Sequence, residues 1–236
     1  MTITRTSGDQ ALDAPAWTGD AGDYDAWFDT PWGRHAFAVE AATVRDACGD
    51  LAGRRVLDAG CGTGRFSATL AGDHTPVVGI DPDPAMLGPA RARVTGGCAR
   101  AVVEHLPFPD GAFDLSLAVT VLEFVADPAA ALAELARVTR DGGRIVVGAL
   151  NPRSPWGLAN RRARRAGVWC HARFLGRSEL RALGSRHGRT RLHGALHAPG
   201  ALPGLARLGP PIEAAGRAVP PCGAFQVLTI DKVGRP

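Results

Sequence analysis

A turn made largely of glycine constrains this chain more than any other feature. Val56 and Leu57 at the centre of residues 54–59 predict a short buried strand, and Gly60, Gly62 and Gly64 follow it. Glycine tolerates positive φ and lets a ligand approach the backbone. A helix predicted to follow places its N-terminus at the turn, which favours an anionic ligand group. A second predicted strand ends on Asp81, so both strands would border a ligand crevice at the carboxyl edge of a parallel sheet.

The spacing of these glycines distinguishes the turn from a dinucleotide-binding site. The dinucleotide fingerprint is G-x-G-x-x-G, whereas this chain has G-x-G-x-G and carries Arg65 where the third glycine would stand. Asp81 is still placed to accept hydrogen bonds from a ribose diol. The pattern predicts a ligand with a ribose, an adenine-like base and a small carboxylate, as in S-adenosylmethionine. A nicotinamide-dependent oxidoreductase is the alternative that this spacing disfavours.

Four ordered blocks resemble the class I S-adenosylmethionine-dependent methyltransferases, in the small-molecule group similar to ubiquinone and menaquinone methyltransferases. The resemblance covers about residues 52–151. It implies a three-layer, Rossmann-like α/β fold with a seven-stranded, mostly parallel sheet, an antiparallel edge strand and the strand order 3-2-1-4-5-7-6. The blocks are the segments 56–67, 79–87, 104–114, and 121–125 with 135–147.

The resemblance also implies which residues hold the cofactor. Asp58 would orient the turn and bind the methionine amino group, directly or through water, and Asp81 would bind both ribose hydroxyls. Met86 would pack on the adenine, although a methionine on a helix also serves as core filling. The other implied contacts are Gly60, Cys61 and Gly62 toward the methionine portion, Pro82 toward the adenine, and Val119 toward the sulfonium.

The third block departs from the family pattern. Relatives commonly carry an aspartate two residues before the position of Glu104, where it binds the adenine amino group, but this chain has Val102 there. The adenine would then be held by the backbone of Val103 and Glu104, or by the Glu104 side chain. His105 would line the same pocket or point to solvent. This departure keeps open a protein that binds the cofactor without transferring its methyl group.

Methyl transfer from a sulfonium is an in-line displacement that depends mainly on alignment and the removal of water. A base helps when the acceptor is a hydroxyl or thiol. Glu123 is the best-placed candidate, because it follows the fourth predicted strand near the expected methyl group. Relatives often have a histidine next, where this chain has Phe124. The further candidate bases are His171, His193 and His197.

Two aromatic groups have alternative interpretations. Tyr24 and its neighbours Trp27, Phe28 and Trp32 would form a lid over the cofactor, since aromatic faces attract a sulfonium, or would fasten an N-terminal helix to the sheet. A second group follows the fifth predicted strand, where this class builds its acceptor pocket, and it predicts a partly apolar acceptor with one polar handle. That group contains Trp156, Trp169, Cys170, His171 and Phe174.

The chain alternates predicted strands and helices, which favours one parallel α/β domain for 236 residues. Residues 1–22 are predicted to be a flexible N-terminal segment, 23–50 the aromatic lid region, and 198–221 a C-terminal insertion. The predicted strands are 54–59, 76–81, 99–103, 113–119, 142–149, 189–197 and 224–232. The predicted helices are 34–48, 64–71, 84–94, 128–140 ended by Gly142 and Gly143, 153–167, 177–183 capped by Ser178, and 212–219.

Composition limits the location of this protein and the classes of molecule on which it can act. No run of 18 apolar residues predicts a membrane span, no signal peptide is evident, and five scattered cysteines without a C-x-x-C pair predict neither a disulfide framework nor a metal site. We therefore expect a cytoplasmic protein acting on a small molecule. The net charge of +4 is modest and argues against nucleic acid, but arginines cluster in the C-terminal third and keep an RNA- or protein-modifying methyltransferase as an alternative. The oligomeric state stays open.

Overall fold

The architecture is a single twisted sheet between helical layers. The structure is a computed structural model that describes residues 20–71, 75–162, 169–197, 209–216 and 220–234. Within these ranges seven strands pair in the order β3-β2-β1-β4-β5-β7-β6, which confirms the predicted order. Strands β1 to β5 are parallel, whereas β7 is antiparallel to β5 and to the edge strand β6. The strands are β1 Val56–Ala59, β2 Val77–Asp81, β3 Cys98–Arg100, β4 Phe113–Val119, β5 Thr139–Leu150, β6 Arg189–Ala195 and β7 Phe225–Asp231.

Most of the helices begin at a local signal that the sequence carries. Thr30, Asp83, Asp127 and Ser154 each accept a hydrogen bond from a backbone N–H of the first turn, and a proline follows each of them. Such caps satisfy donors that have no partner inside the helix. The helices are α1 Ala21–Asp29, α2 Pro31–Cys48, α3 Arg65–Leu70, α4 Pro84–Ala90, α5 Pro128–Val138, α6 Pro155–Ala159, α7 Arg177–Gly184 and α8 Gly209–Gly216.

Both faces of the sheet are buried, which is the reason that the central strands are apolar at consecutive positions. On one face Leu57 and Ile145 pack in a cluster with residues of α5 and α7. On the other face Val56 and Val146 pack with residues of α2 and α3. The carboxyl ends of β1, β2 and β4 therefore lie at one edge of a sheet whose central strands are covered on both faces, and the glycine turn lies at this edge.

The predicted boundary at Gly142 and Gly143 is wrong. Helix α5 ends at Val138 and β5 begins at the next residue, so both glycines lie inside the strand. The register of β4 against β5 shifts between Phe113 and Leu115, and the glycines occupy this irregularity. Gly142 has φ +72°, a left-handed conformation that glycine adopts without strain.

Other sequence predictions need correction at their boundaries. The predicted helix 153–167 ends at Ala159, and residues 163–167 of that prediction lie outside the described part of the chain. Gly176, not Ser178, is the N-cap of α7. Residues 20–22 are not a loose tail, because Asp20 accepts hydrogen bonds from Gly22 and Asp23 and starts α1; residues 1–19 lie outside the description. Of the insertion 198–221, the structure describes only α8 and residues 220–221.

Candidate active site

The turn after β1, residues 60–64, is here called the glycine loop. Gly60, Gly62 and Gly64 all have positive φ, at +76°, +54° and +81°. A Cβ on Gly60 would overlap the side chain of Val121, so this position requires glycine for space as well as for conformation. The backbone N–H groups of Gly60 and Cys61 both donate to the carbonyl of Ile80, at 2.7 and 2.9 Å. These bonds fix the glycine loop against the end of β2.

Asp81, at the end of β2, is hydrogen-bonded to the glycine loop. Its Oδ2 accepts a hydrogen bond from Gly62 N at 2.9 Å, and its Oδ1 accepts one from Asp83 N at 2.9 Å. Burial raises the pKa of Asp81, and these two backbone bonds partly offset that effect. A carboxylate offers about four lone-pair positions. Two of them are therefore left for hydroxyl donors of a ligand that lies along the end of β2.

Asp58 is buried beneath the glycine loop. It is 1% exposed, and its Oδ2 accepts a hydrogen bond from Ser67 Oγ at 2.5 Å. Burial raises the pKa of Asp58 to about 6; the Ser67 hydroxyl works against this rise, and the charge of Asp81 adds to it. Asp58 thus ties β1 to α3, and its role in orienting the loop stays a prediction.

Tyr24 of α1 lies over the glycine loop. Its ring and hydroxyl are 3.9 and 4.0 Å from the position that a Cβ on Gly62 would take. Burial raises the pKa of Tyr24, and four carboxyl groups raise it further, those of Glu40, Asp81, Asp25 and Asp58. The negative charge of these carboxyl groups therefore opposes ionisation of the Tyr24 hydroxyl.

The other rings of the lid hypothesis behave differently from Tyr24. Phe28 is 5% exposed and meets the ring of Phe37 edge to face at 5.3 Å; Phe37 meets Phe66 of α3 at 5.2 Å. Edge-to-face contacts of this kind are favourable. Phe28 thus packs α1 against another helix, α2, whereas the alternative interpretation expected a contact with the sheet; Trp27 is 43% exposed.

Asp25, on the same helix as Tyr24, connects α1 to the glycine loop, to the start of α3 and to the segment after α4. Its carboxylate accepts hydrogen bonds from Thr63 Oγ1 at 2.7 Å, Arg65 Nε at 2.8 Å and Arg93 Nη2 at 2.7 Å. Arg65 also donates to the Asp25 carbonyl at 3.0 Å and lies over the ring of Phe28, 4.7 Å from its centroid. Sequence reasoning missed this set, here called the Asp25 cluster, because its members are far apart in the chain.

On the adenine side the predicted residues are present but not equally enclosed. Met86 is 4% exposed and Val103 is also buried, whereas Pro82 is half-buried. Glu104 accepts a hydrogen bond from Ala126 N at 3.1 Å, which connects it to the segment after β4, and His105 is exposed. Their roles toward the adenine stay predictions.

The end of β4 brings Glu123 into the interior. Val119 is buried, and Thr120 has φ +52°, an uncommon value for a residue with a side chain. Glu123 is 1% exposed; its Oε1 accepts a hydrogen bond from Leu150 N at 2.8 Å, and its Oε2 is buried without a partner within the described residues. Burial raises the pKa of Glu123 to about 7, although the Leu150 bond lowers it. Such a group can accept a proton near neutral pH.

Of the aromatic acceptor group, only part assembles near Glu123. The Glu123 carbonyl accepts a hydrogen bond from Arg173 N at 2.7 Å, which brings this segment close. Trp169 lies 5.5 Å from Phe124 and 5.8 Å from Phe174 between ring centroids.

The other members of that group, and the other candidate bases, differ from Glu123 in their surroundings. Trp156 packs on the opposite face with the cluster of α2 and α3. His171, Cys170 and His193 are exposed. His197 lies 3.4 Å from Glu213 of α8. Glu123 is therefore the most enclosed of the candidate bases.

Glu40 is the acidic residue that sequence reasoning missed. It is 8% exposed on α2, and burial followed by the charge of Glu123 raises its pKa to about 8. The sequence does indicate that Glu40 is buried. It stands four residues after Ala36 and four before Val44, and both of these lie on the apolar face of the predicted helix. In the parts of the chain that the structure describes, no cluster of three metal-ligating side chains occurs and no helix is long and apolar enough to cross a bilayer.

Comparison with known proteins places this geometry among methyl-transferring enzymes. A family model described as "Methyltransferase domain" matches residues 57–147. An uncharacterized protein of Mycobacterium tuberculosis is 38% identical over 222 residues, which are 92% of this chain and 74% of that protein. A Thermotoga maritima structure, described as a SAM-dependent methyltransferase and possible histamine N-methyltransferase, superposes with a TM-score of 0.72 at 25% identity, covering 89% of this chain and 95% of that one. Geranyl diphosphate methyltransferase with GPP and sinefungin gives 0.59 at 26% identity, covering 93% and 85%.

Proposed function

Because this chain belongs to the S-adenosylmethionine-dependent methyltransferases, we propose that it methylates a small-molecule acceptor at the crevice between the glycine loop and α1. S-adenosylmethionine is the methyl donor of this family. One observation carries the proposal: a turn in which three of the five residues are glycine is hydrogen-bonded to Asp81 through Gly62 N at 2.9 Å. This arrangement combines an open backbone surface with a carboxylate at the end of the neighbouring strand.

The residues at the crevice fit this cofactor. Side chains at Gly60 and Gly62 would fill the space toward Val121 and Tyr24, so the glycines keep room beside the loop. Asp81 retains acceptor positions for ribose hydroxyls. The remaining proposed cofactor contacts are Asp58, Cys61, Pro82, Met86, Val103, Glu104, His105 and Val119.

The proposed mechanism relies on alignment and exclusion of water. When bound, S-adenosylmethionine supplies a methyl group already activated by its sulfonium. Tyr24 covers the glycine loop at Gly62, and Val121 places an apolar side chain beside Gly60. Holding reactants in line can recover up to about 7–11 kcal/mol of a barrier. Glu123 accepts a proton from the acceptor if the nucleophile carries one, and the exposed His171 is the second candidate base.

The depth of Glu123 supports a small acceptor. Its carboxyl group is 1% exposed, so the reacting atom must enter the interior, which a small molecule does more readily than the surface of a folded RNA or protein. The rings of Phe124 and Trp169 beside it favour an acceptor with an apolar part. In this proposal α1 and the start of α2 form the lid of a single domain.

Calorimetry with S-adenosylhomocysteine tests the proposed cofactor site. We expect the wild-type chain to bind it and Asp81→Asn to weaken binding at least about tenfold, because a charged acceptor for two hydroxyls is lost. The control is Asp46→Asn, an exposed aspartate on α2 that should leave affinity unchanged. A wild-type chain that does not bind the nucleoside, or an Asp81→Asn variant with unaltered affinity, refutes the proposal. Salt-sensitive RNA binding would favour the RNA-modifying alternative.

A further inference from the structure

Two thiols lie together beneath the glycine loop, on the side of the sheet that α4 covers. Cys61 belongs to the glycine loop, is 7% exposed and packs in one cluster with Leu87 and Ala90 of α4. Cys98, the half-buried first residue of β3, packs against the same cluster. Both residues are free thiols in this structure. They are here called the cysteine pair.

The strand register places the members of the cysteine pair side by side. Cys98 pairs with Gly79 of β2, so the two positions face the same side of the sheet on strands about 4.8 Å apart. Cys61 Sγ lies 2.9 Å, and Cys61 Cβ 3.3 Å, from the position that a Cβ on Gly79 would take. The thiol of Cys61 therefore fills the space that Gly79 leaves next to Cys98. A disulfide spans Cβ atoms about 3.5–4.5 Å apart, so the two thiols are within reach of each other.

The two thiols differ in their access to solvent. Cys98 is half-buried on β3, the strand at one edge of the sheet, whereas Cys61 is buried under the loop. Burial raises the pKa of both thiols; for Cys98, the Arg91 guanidinium and a hydrogen bond with Cys61 work against this rise. The thiolate is the reactive form, so an oxidant reacts first at Cys98, and Cys61 is the thiol that resolves the product. The raised pKa values also mean that the cysteine pair reacts only with a sustained excess of oxidant.

We propose that the cysteine pair is an oxidation site, at which a hydroperoxide forms a disulfide between Cys98 and Cys61 that weakens cofactor binding by the glycine loop. The effect on the cofactor rests on the proposed function, whereas the disulfide itself does not. Cys98 gives two electrons to the peroxide: the O–O bond breaks, one water leaves, and Cys98 becomes a sulfenic acid. The sulfur of Cys61 then bonds Cys98 Sγ and displaces its hydroxyl group, which leaves with the Cys61 proton as a second water.

Cys61 connects this disulfide to the cofactor side of the loop. Its N–H donates to the carbonyl of Ile80 at 2.9 Å, and the next residue, Gly62, donates to Asp81 Oδ2 at 2.9 Å. Bonded sulfurs are about 2 Å apart, whereas thiols in van der Waals contact are about 4 Å apart, so closing the bond draws Cys61 toward β3. Because the adjoining Gly62 is conformationally permissive, we expect it to follow this movement and to lose its hydrogen bond to Asp81.

Peptide mapping and calorimetry together test this inference. The full chain with Cys170→Ser and Cys222→Ser, which remove two exposed thiols, is treated with excess hydrogen peroxide, alkylated and digested with trypsin. Trypsin cuts after arginine, so residues 56–65 and 94–100 become separate peptides with one cysteine each. We expect these two peptides to be linked. The oxidised chain should bind S-adenosylhomocysteine at least about tenfold more weakly, because a hydrogen bond to a charged acceptor is lost, and dithiothreitol should restore the affinity.

A further variant assigns the effect to the cysteine pair. Cys98→Ser, added to the same protein, should bind S-adenosylhomocysteine equally well before and after peroxide treatment; its affinity before treatment also shows that it folds. The inference would be overturned if the two peptides stay unlinked, if the disulfide leaves the affinity unaltered, or if Cys98→Ser loses as much affinity on oxidation. A reduced wild type that does not bind the nucleoside would instead remove the proposed function, while the linked peptides would still decide whether the oxidation site exists.

Discussion

Asp25→Asn tests whether the Asp25 cluster holds α1 against the glycine loop. The substitution keeps the size of the side chain and removes the charge that receives hydrogen bonds from Thr63, Arg65 and Arg93. The Asp25 side chain is 20% exposed, and the two arginine side chains are 20% and 31% exposed. These bonds are therefore shielded enough from water to stabilise the attachment of α1.

The magnitude follows from the pKa of Asp25. Burial alone would raise it, but the hydrogen bonds from Arg93, Arg65 and Thr63 lower the pKa from 3.8 to about 2. At ~1.4 kcal/mol for each tenfold change in an equilibrium constant, the folded state stabilises the carboxylate by about 2 kcal/mol. Because the folded pKa is the lower one, this stabilisation is complete above about pH 4 and is lost as the pH falls through about 2.

Hydrogen exchange of the α1 amides measures this loss at neutral pH. We expect Asp25→Asn to speed exchange across Ala21–Asp29 about 30-fold, the equivalent of about 2 kcal/mol. The matched control is Asp29→Asn on the same helix, since Asp29 is 3.9 Å from Arg65 and its side chain is 74% exposed. An exposed pair contributes at most about 1 kcal/mol, so exchange should change little. Equal exchange in the two variants would refute the reasoning.

Three further predictions concern buried positions of the site. Gly60→Ala should abolish S-adenosylhomocysteine binding and lower the free energy of unfolding more than Gly53→Ala does. Both glycines have positive φ, but only Gly60 lacks space for a Cβ. Equal losses of the two variants in urea denaturation would contradict this. Ser67→Ala should lower the free energy of unfolding by about 2 kcal/mol at pH 8 and by less at pH 5, since it leaves the buried Asp58 carboxylate without its hydroxyl donor. A loss of stability that does not depend on pH would oppose the hydrogen bond from Ser67 to a charged Asp58. Glu40→Gln should flatten the decline in melting temperature as the pH rises from about 4.5 to about 8. Folding raises the pKa of Glu40, so the wild type loses stability as the pH rises toward the folded pKa. The same slope of melting temperature against pH in both proteins would argue against this prediction.

Local signals explain why much of the fold was predictable. The cap-and-proline pair at Asp127 fixed the start of α5, because a side-chain acceptor and a preset φ act within a few residues. The same locality explains why the boundary at Gly142 and Gly143 was predicted wrongly. Two glycines usually end a helix, but here they absorb a register shift against β4, a strand distant in sequence.

The sequence by itself determined the cofactor side of this protein: the glycine loop and Asp81 follow their strands directly, so backbone conformation and the parallel sheet bring them together. Only the tertiary structure decided which helix covers the glycine loop and which acidic side chains are buried near it. Asp25 accepts a hydrogen bond from Arg93, 68 positions away in the chain, and Tyr24 of α1 lies over Gly62. Such contacts depend on how helices pack on the sheet, and no periodicity in the sequence encodes the distance between two side chains on separate elements.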